Sequence, residues 1–166
     1  IDLDEEGRMT LENVKKAVSE NTKIISLAIV TNVLGYEVPI KDITEYAHSK
    51  GIIVVADGAQ SVPHIVTDVV RDDVDFLAFS GHKMCGPTGV GVLYGKYKLL
   101  EETKPTRFGG GSNSRYNSCG LVTLKEPPYK FEAGTPHIEG VIGLGAAVKY
   151  LEGIGMDNIR QRELQL

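Results

Sequence analysis

Between Asn32 and Lys83 the chain carries an amide, an acid, a second amide, a hydroxyl, an imidazole and an amine, each set just beyond an apolar run. Asp57 and Gln60 follow Ile52-Ile53-Val54-Val55, and Ser80, His82 and Lys83 follow or close the run from Val74 to Phe79. Asn32 follows the run Ile24–Val30. The continuous, β-branched run at 52–55 predicts a strand covered on both faces, ending at Asp57-Gly58. In open α/β sheets ligands bind along the carboxyl ends of the strands, so all six groups are expected on one functional rim. If a helical turn starts after Asp57, Gln60 three positions on shares its face. Ser80 and His82, two apart at a strand end, are expected on one side, with Lys83 pointing elsewhere.

Singly, these residues say little. An aspartate at a strand end is more often a turn or capping residue, and a lysine after a strand is usually a solvated charge. The combination is more specific. One ligand needs an amine for an aldehyde, a carboxylate for a pyridine nitrogen, an amide for a phenolic oxygen, and a hydroxyl with an imidazole for a phosphate. That ligand is pyridoxal 5′-phosphate. Asp57 would keep the ring nitrogen protonated, making the ring an electron sink, and Lys83 would be the amine that attacks and carries protons. Other motifs fare worse. The Gly143-Leu-Gly145 stretch lies inside a helical pattern with no strand before it, and Gly86-Pro-Thr-Gly-Val-Gly91 lacks the Gly-Lys-Ser/Thr ending of a P-loop.

The elements that must position these groups read as follows. Leu11, Val14 and Val18 stand at helical spacing behind Thr10 as N-cap, with Asn21 as a stop. A strand is expected over Ile24–Val30. Ile40, Ile43, Tyr46 and Ala47 mark one face of an amphipathic helix that Gly51 ends. Strand, helix and strand in succession predict a parallel, right-handed unit. Gly89–Tyr94 is a strand joined to Lys83 by so short a turn that it should run antiparallel to its predecessor. Residues 104–130, rich in Gly, Ser, Asn and Pro, read as a long loop with one short strand at Leu121–Leu124. Val141, Leu144, Val148 and Leu151 define a helix from Ile138, and a further helical pattern from Asp157 is still running at Leu166. With Ile1 in first place, the chain reads as one partial domain, an α/β piece truncated at both ends.

Composition narrows the function classes. A chain of 166 residues with 42% hydrophobic content can bury one domain-sized core. A net charge of −4, with no basic cluster longer than Lys15-Lys16, argues against nucleic-acid or anionic-membrane partners. No apolar run approaches the roughly 20 residues of a membrane span. Two cysteines without a Cys-x-x-Cys pair and four scattered histidines give neither a disulfide framework nor a metal site. A reducing compartment, the cytoplasm, fits best. Cys85, in a tight Gly-Pro turn, is expected as a small buried residue, Cys119 lies in the long loop, and His48 and His64 read as surface residues.

The segments ADGAQS at 56–61, SGHKMCGPTGVGVLYG at 80–95 and FEAGTP at 131–136 resemble the class V aminotransferase superfamily, and within it the cysteine desulfurase and selenocysteine lyase branch. TNVLG at 31–35, GGGS at 109–112 and the helix from Ile138 extend the likeness over nearly the whole chain. The resemblance implies a fold type I pyridoxal-phosphate enzyme of which this chain is the central part of the large domain. It implies Lys83 as the Schiff-base lysine, Asp57 at the pyridinium, Gln60 at the ring hydroxyl, Ser80 and His82 at the phosphate, and Asn32 near the ring oxygen and substrate. Thr135 matches the residue that reaches the other subunit's phosphate in a homodimer. The reaction implied is L-cysteine to L-alanine with sulfur passing as a persulfide to an acceptor protein, in iron–sulfur cluster assembly; selenocysteine is the related substrate. Other activities of the superfamily (aminotransferase, epimerase, kynureninase-like hydrolase) and a non-catalytic scaffold share the same rim. The nucleophilic cysteine and the substrate-binding arginine belong to a C-terminal domain outside these residues. Cys85 replaces a common aromatic residue, and His137 a common asparagine.

Overall fold

The computed structural model describes residues 1–166 and is built on a four-stranded sheet in the order β1-β2-β3-β4. Here β1 is Ile24–Ala28, β2 Ile53–Asp57, β3 Phe76–Ser80 and β4 Gly91–Gly95. The first three strands are parallel and β4 pairs antiparallel with β3, as the short link from Lys83 predicts. Helix α1, Leu11–Ala17, opens with a reciprocal cap: Asn13 N–H donates to Thr10 Oγ1, and Thr10 N–H donates to the Asn13 side chain, each at 3.2 Å. It ends at Ala17, four residues before Asn21. Helix α2, Ile40–Ser49, turns Ile40, Ile43, Thr44 and Ala47 into the core. Gly51 ends it at φ +67°, a left-handed conformation cheap only for glycine, while Ile52 N–H returns to Ala47 O at 2.9 Å.

The core lies between these helices and one face of the sheet. Ile25, Leu27, Val54, Ala56 and Leu77 meet Val14, Ile43 and Ala47 there, all nearly or completely inaccessible to water. A fully buried side chain such as Ile43 contributes about 1.5–3 kcal/mol by burial, and truncating it to alanine costs about 2–5 kcal/mol. A smaller cluster of Met84, Leu144 and Leu151 joins helix α4, Ile138–Ile154, to the same side through Phe79 and Val62. Helix α5, Met156–Glu163, adds Met156 and Ile159 to that cluster.

The other face of the sheet is open, which corrects the expectation of strands covered on both sides. Register places Ser26, Val55 and Phe76 in one row and Ala28, Asp57, Ala78 and Leu93 in the next. In these rows and beside them Ile24 is 58% exposed and Leu93 62%. The apolar run at 52–55 arises because these rows are apolar as well, although the only helical side chain seen against them is Leu100, of the helix that follows β4, beside Gly95 and Phe76.

Helix α3, Tyr97–Glu102, follows β4, ahead of the long loop. The loop itself holds more order than the one short strand expected: β5, Asn113–Tyr116, pairs antiparallel with β6, Val122–Leu124, to form a hairpin. β5 reads Asn-Ser-Arg-Tyr, with no apolar alternation to reveal it.

Candidate active site

Parallel pairing sends the carboxyl ends of β1, β2 and β3 to one edge, and the expected residues lie on it. Asp57 is the last residue of β2, paired in register with Ala28 on one side and Ala78 on the other. Its side chain is on the open face, exposed, and Oδ1 accepts the Ala59 N–H at 2.8 Å, which leaves the second oxygen free. Asn32 stands in the loop after β1, and the Gln60 amide donates to Asn32 Oδ1, so these two are joined directly. Gln60 is held by the turn after β2, in which Val62 N–H bonds Gly58 O at 3.0 Å.

Ser80 closes β3, but the strand goes no further. Gly81–Lys83 form a single 3-10 turn, so the expectation that strand alternation orients His82 with Ser80 and turns Lys83 away is replaced by a helical arrangement. Gly81 is required for it: a Cβ there would lie 2.9 Å from Val90 Cγ1 and 3.1 Å from Val90 O. His82 and Lys83 are both exposed, while Met84 beside them is buried and anchors the turn. Lys83 enters none of the chain's ion pairs. Thr135 is exposed just before α4, two residues from His137, whose ring faces Gly89 of the loop that follows Lys83. A hydrogen bond thus unites Asn32 with Gln60; Asp57, Ser80, His82 and Lys83 share the edge with no hydrogen bond or ion pair joining their side chains to one another, and Thr135 stands on the segment packed against the lysine loop.

Three expectations need correction. Cys85 is exposed rather than buried and has φ +61°; the buried position is its neighbour Met84. His48 is not a free surface residue: its side chain is 29% exposed, with Nδ1 3.1 Å from Asp73 and Nε2 2.9 Å from Asp75. His64 Nδ1 lies 2.5 Å from Glu163 Oε1 on α5. Sequence gave no sign of either pair, because the partners are 25 to 99 residues away. Beside the Asn32–Gln60 contact is a cavity of about 260 Å³, bounded by His64, Arg160 and Glu163 on its far side.

The donor set fits the chemistry of pyridoxal phosphate. An anion with a free oxygen, a joined pair of amides, a hydroxyl and imidazole at a tight turn, and an unpaired amine stand along one edge of the sheet.

The whole chain, residues 1–166, matches the family described as Aminotransferase class-V. It is 51% identical over 166 residues to a probable cysteine desulfurase of Halalkalibacterium halodurans, covering 99% of this chain and 40% of that protein. Among solved structures, the apo cysteine desulfurase of Thermococcus onnurineus superposes with a TM-score of 0.91 at 39% identity, over 98% of this chain and 40% of that one. A mutant of C-DES with glycine covalently linked to its PLP cofactor superposes with a TM-score of 0.80 at 28% identity, over 91% and 41%. The chain spans about 40% of the length of the relatives it matches.

Proposed function

Because the chain belongs to the class-V aminotransferase family, we propose that it is the central part of the large domain of a pyridoxal-phosphate-dependent cysteine desulfurase. The observation that carries this is the convergence of Asn32–Gln60, Asp57 and the Ser80–Lys83 turn at the carboxyl ends of three adjacent parallel strands. The substrate is L-cysteine, the product L-alanine, and the sulfur leaves as a persulfide on a cysteine of the longer polypeptide, for transfer to an acceptor protein in cluster assembly.

When bound, pyridoxal phosphate supplies an electron sink for bond breaking at the substrate α-carbon. Asp57 would pair with the ring nitrogen and favour its protonated form. Gln60 and Asn32 would orient the ring oxygen. Ser80 and His82, on the turn stiffened by Gly81, would hold the phosphate. Lys83 would hold the group through its amine, which would also move the proton at the substrate α-carbon. Thr135, exposed ahead of α4, reaches the equivalent phosphate of a second subunit in a homodimer. The setting is the cytoplasm.

Borohydride reduction of the full-length protein followed by peptide mapping tests the reading at its centre. The pyridoxyl label is expected on Lys83; a label on another lysine overturns the assignment.

A further inference from the structure

The Asn32–Gln60 contact joins two loops at an exposed rim, and an amide there has water as an alternative partner. Something must hold Gln60 in place. Its own turn is rigid: Ser61 is fully buried, and Ser61 O accepts from His64 N–H at 3.0 Å and from Ile65 N–H at 2.8 Å. Gly58 at the start of the turn sits so close to β3 that a Cβ would lie 2.7 Å from Leu77 Cδ1. Residues 58–65 therefore move as a unit, and the outer end of that unit is the His64 ring.

The ring has one partner. Nδ1 donates to Glu163 Oε1 at 2.5 Å, with the two side chains 42% and 35% exposed. Glu163 closes α5, and the opposite end of α5 is anchored elsewhere. Met156 and Ile159 pack on the small cluster formed by Leu144 and Leu151 of α4 with Met84, the buried residue next to Lys83. One short helix thus joins the cluster that includes Met84 at its start and bonds the Gln60 turn at its end. Between α5 and the Asn32 loop lies the 260 Å³ cavity, so at the outer end of the turn the His64–Glu163 bond adds to the packing of Val62 on the Met84 cluster.

We propose that His64 and Glu163 are positioning residues, and that α5 is a brace fixing the Gln60 half of the rim relative to the Lys83 half. The effect on the ring oxygen rests on the cofactor reading above; the bracing of residues 58–65 does not.

Two measurements on the full-length protein separate these. In the apoprotein, Glu163→Ala and His64→Ala should each accelerate amide hydrogen exchange over residues 58–65 while β3 and α4 exchange as in the wild type. Unchanged exchange at 58–65, or acceleration spread evenly over β3 and α4, overturns the brace. In the holoenzyme, both variants should shift the pH midpoint of the bound cofactor's visible absorbance in the direction that Gln60→Ala shifts it, with kcat down about tenfold, the loss typical of removing a supporting hydrogen-bond partner. Glu163→Gln should recover part of the shift, and the double variant should be no worse than either single. If Gln60→Ala shifts the midpoint and the two single variants do not, the positioning role is wrong. If exchange responds as expected and the wild type has no visible absorbance with added cofactor, the brace stands and the cofactor reading falls.

Discussion

Asp57 divides its two carboxylate oxygens between jobs, one accepting the Ala59 N–H that shapes the turn and one facing the open edge. An amide can do the first job and cannot do the second, since it carries no charge. Asp57→Asn in the full-length enzyme should therefore keep its fold and most of its bound cofactor while losing turnover by roughly 10²-fold or more, the scale of a lost preorganised electrostatic partner. Cofactor content and kcat measured together check this, and near-normal turnover would remove the role. On the proposed reading, neither cysteine here accepts the sulfur. Cys85 sits at φ +61° on a turn pinned by Met84, and Cys119 stands at the tip of the β5–β6 hairpin, its N–H tied to Asn117 Oδ1 at 3.0 Å. Replacing both with alanine should leave persulfide formation within about twofold of wild type, on the usual mildness of surface changes; its abolition would place the nucleophile in this chain. The residues of the rim were legible because each ends a local apolar run. His64 and His48 were not, because a hydrogen bond across 99 residues, or across 25 to 27, leaves no mark on periodicity.

At the opposite end of the sheet from the rim, four side chains from separate elements close a charged clamp. His48 of α2 and Lys96 ahead of α3 both reach Asp73 and Asp75, which precede β3; Lys96 Nζ is 2.7 Å from Asp73 and 3.0 Å from Asp75. Burial works against the Asp75 anion, but the Val54 N–H at 2.8 Å, His48 and Lys96 outweigh it and lower its pKa. The hydrogen bond from Lys96 lowers that of Asp73. Burial pushes Lys96 down, yet the two aspartates more than reverse this and its pKa is raised. The carboxylates thus contribute stability that is complete above the ordinary aspartate value of about 3.9 and is lost as pH falls through their lower folded values. The Lys96 share is complete below the ordinary lysine value of about 10.4 and is lost as pH rises through its higher folded value. Asp75→Asn should lower the urea midpoint at pH 7 and flatten its decline between pH 4 and pH 2; an unchanged acid limb would show that the clamp carries no linkage. At this scale the sequence was most informative where the signals are local, in the capping and helical spacing of α1 and α2 and the apolar runs of β1–β3. It failed at β5, whose four residues are polar or aromatic without a pattern, and at Gly81–Lys83, where a 3-10 turn replaces the strand alternation expected to align Ser80 with His82.

Across the whole molecule the asymmetry of the sheet dominates. One face is packed under α1, α2, α4 and α5, and the other shows Ile24, Ala78 and Leu93 to water beside Asp57. α4 has the same character: Leu144, Ala147 and Leu151 are buried while Val141 and Ile142 on its far side are 55% and 70% exposed. The relatives are about two and a half times as long, since the chain spans about 40% of them. Exposed apolar surface on this scale marks contact surfaces. The 166-residue chain on its own should therefore bind a hydrophobic fluorescent dye strongly and self-associate in sedimentation, and polar replacements at Ile24 and Leu93 should reduce both; a monomeric, dye-silent chain would contradict the open face. Fold class was readable from the order of runs, whereas which face would be bare was not, because apolar rows on both sides of a strand look alike in sequence.

The helix that braces the rim also sets a clock. Asn32 and Gln60 leave the ribosome early and can meet as soon as β1 and β2 pair, but Glu163 follows Gln60 by about 100 residues, which is roughly 5–20 s of synthesis at ~5–20 residues per second. During that interval the nascent rim has its amides and its lysine without its strut, so a cofactor arriving then meets a looser site than the one offered once α5 has formed.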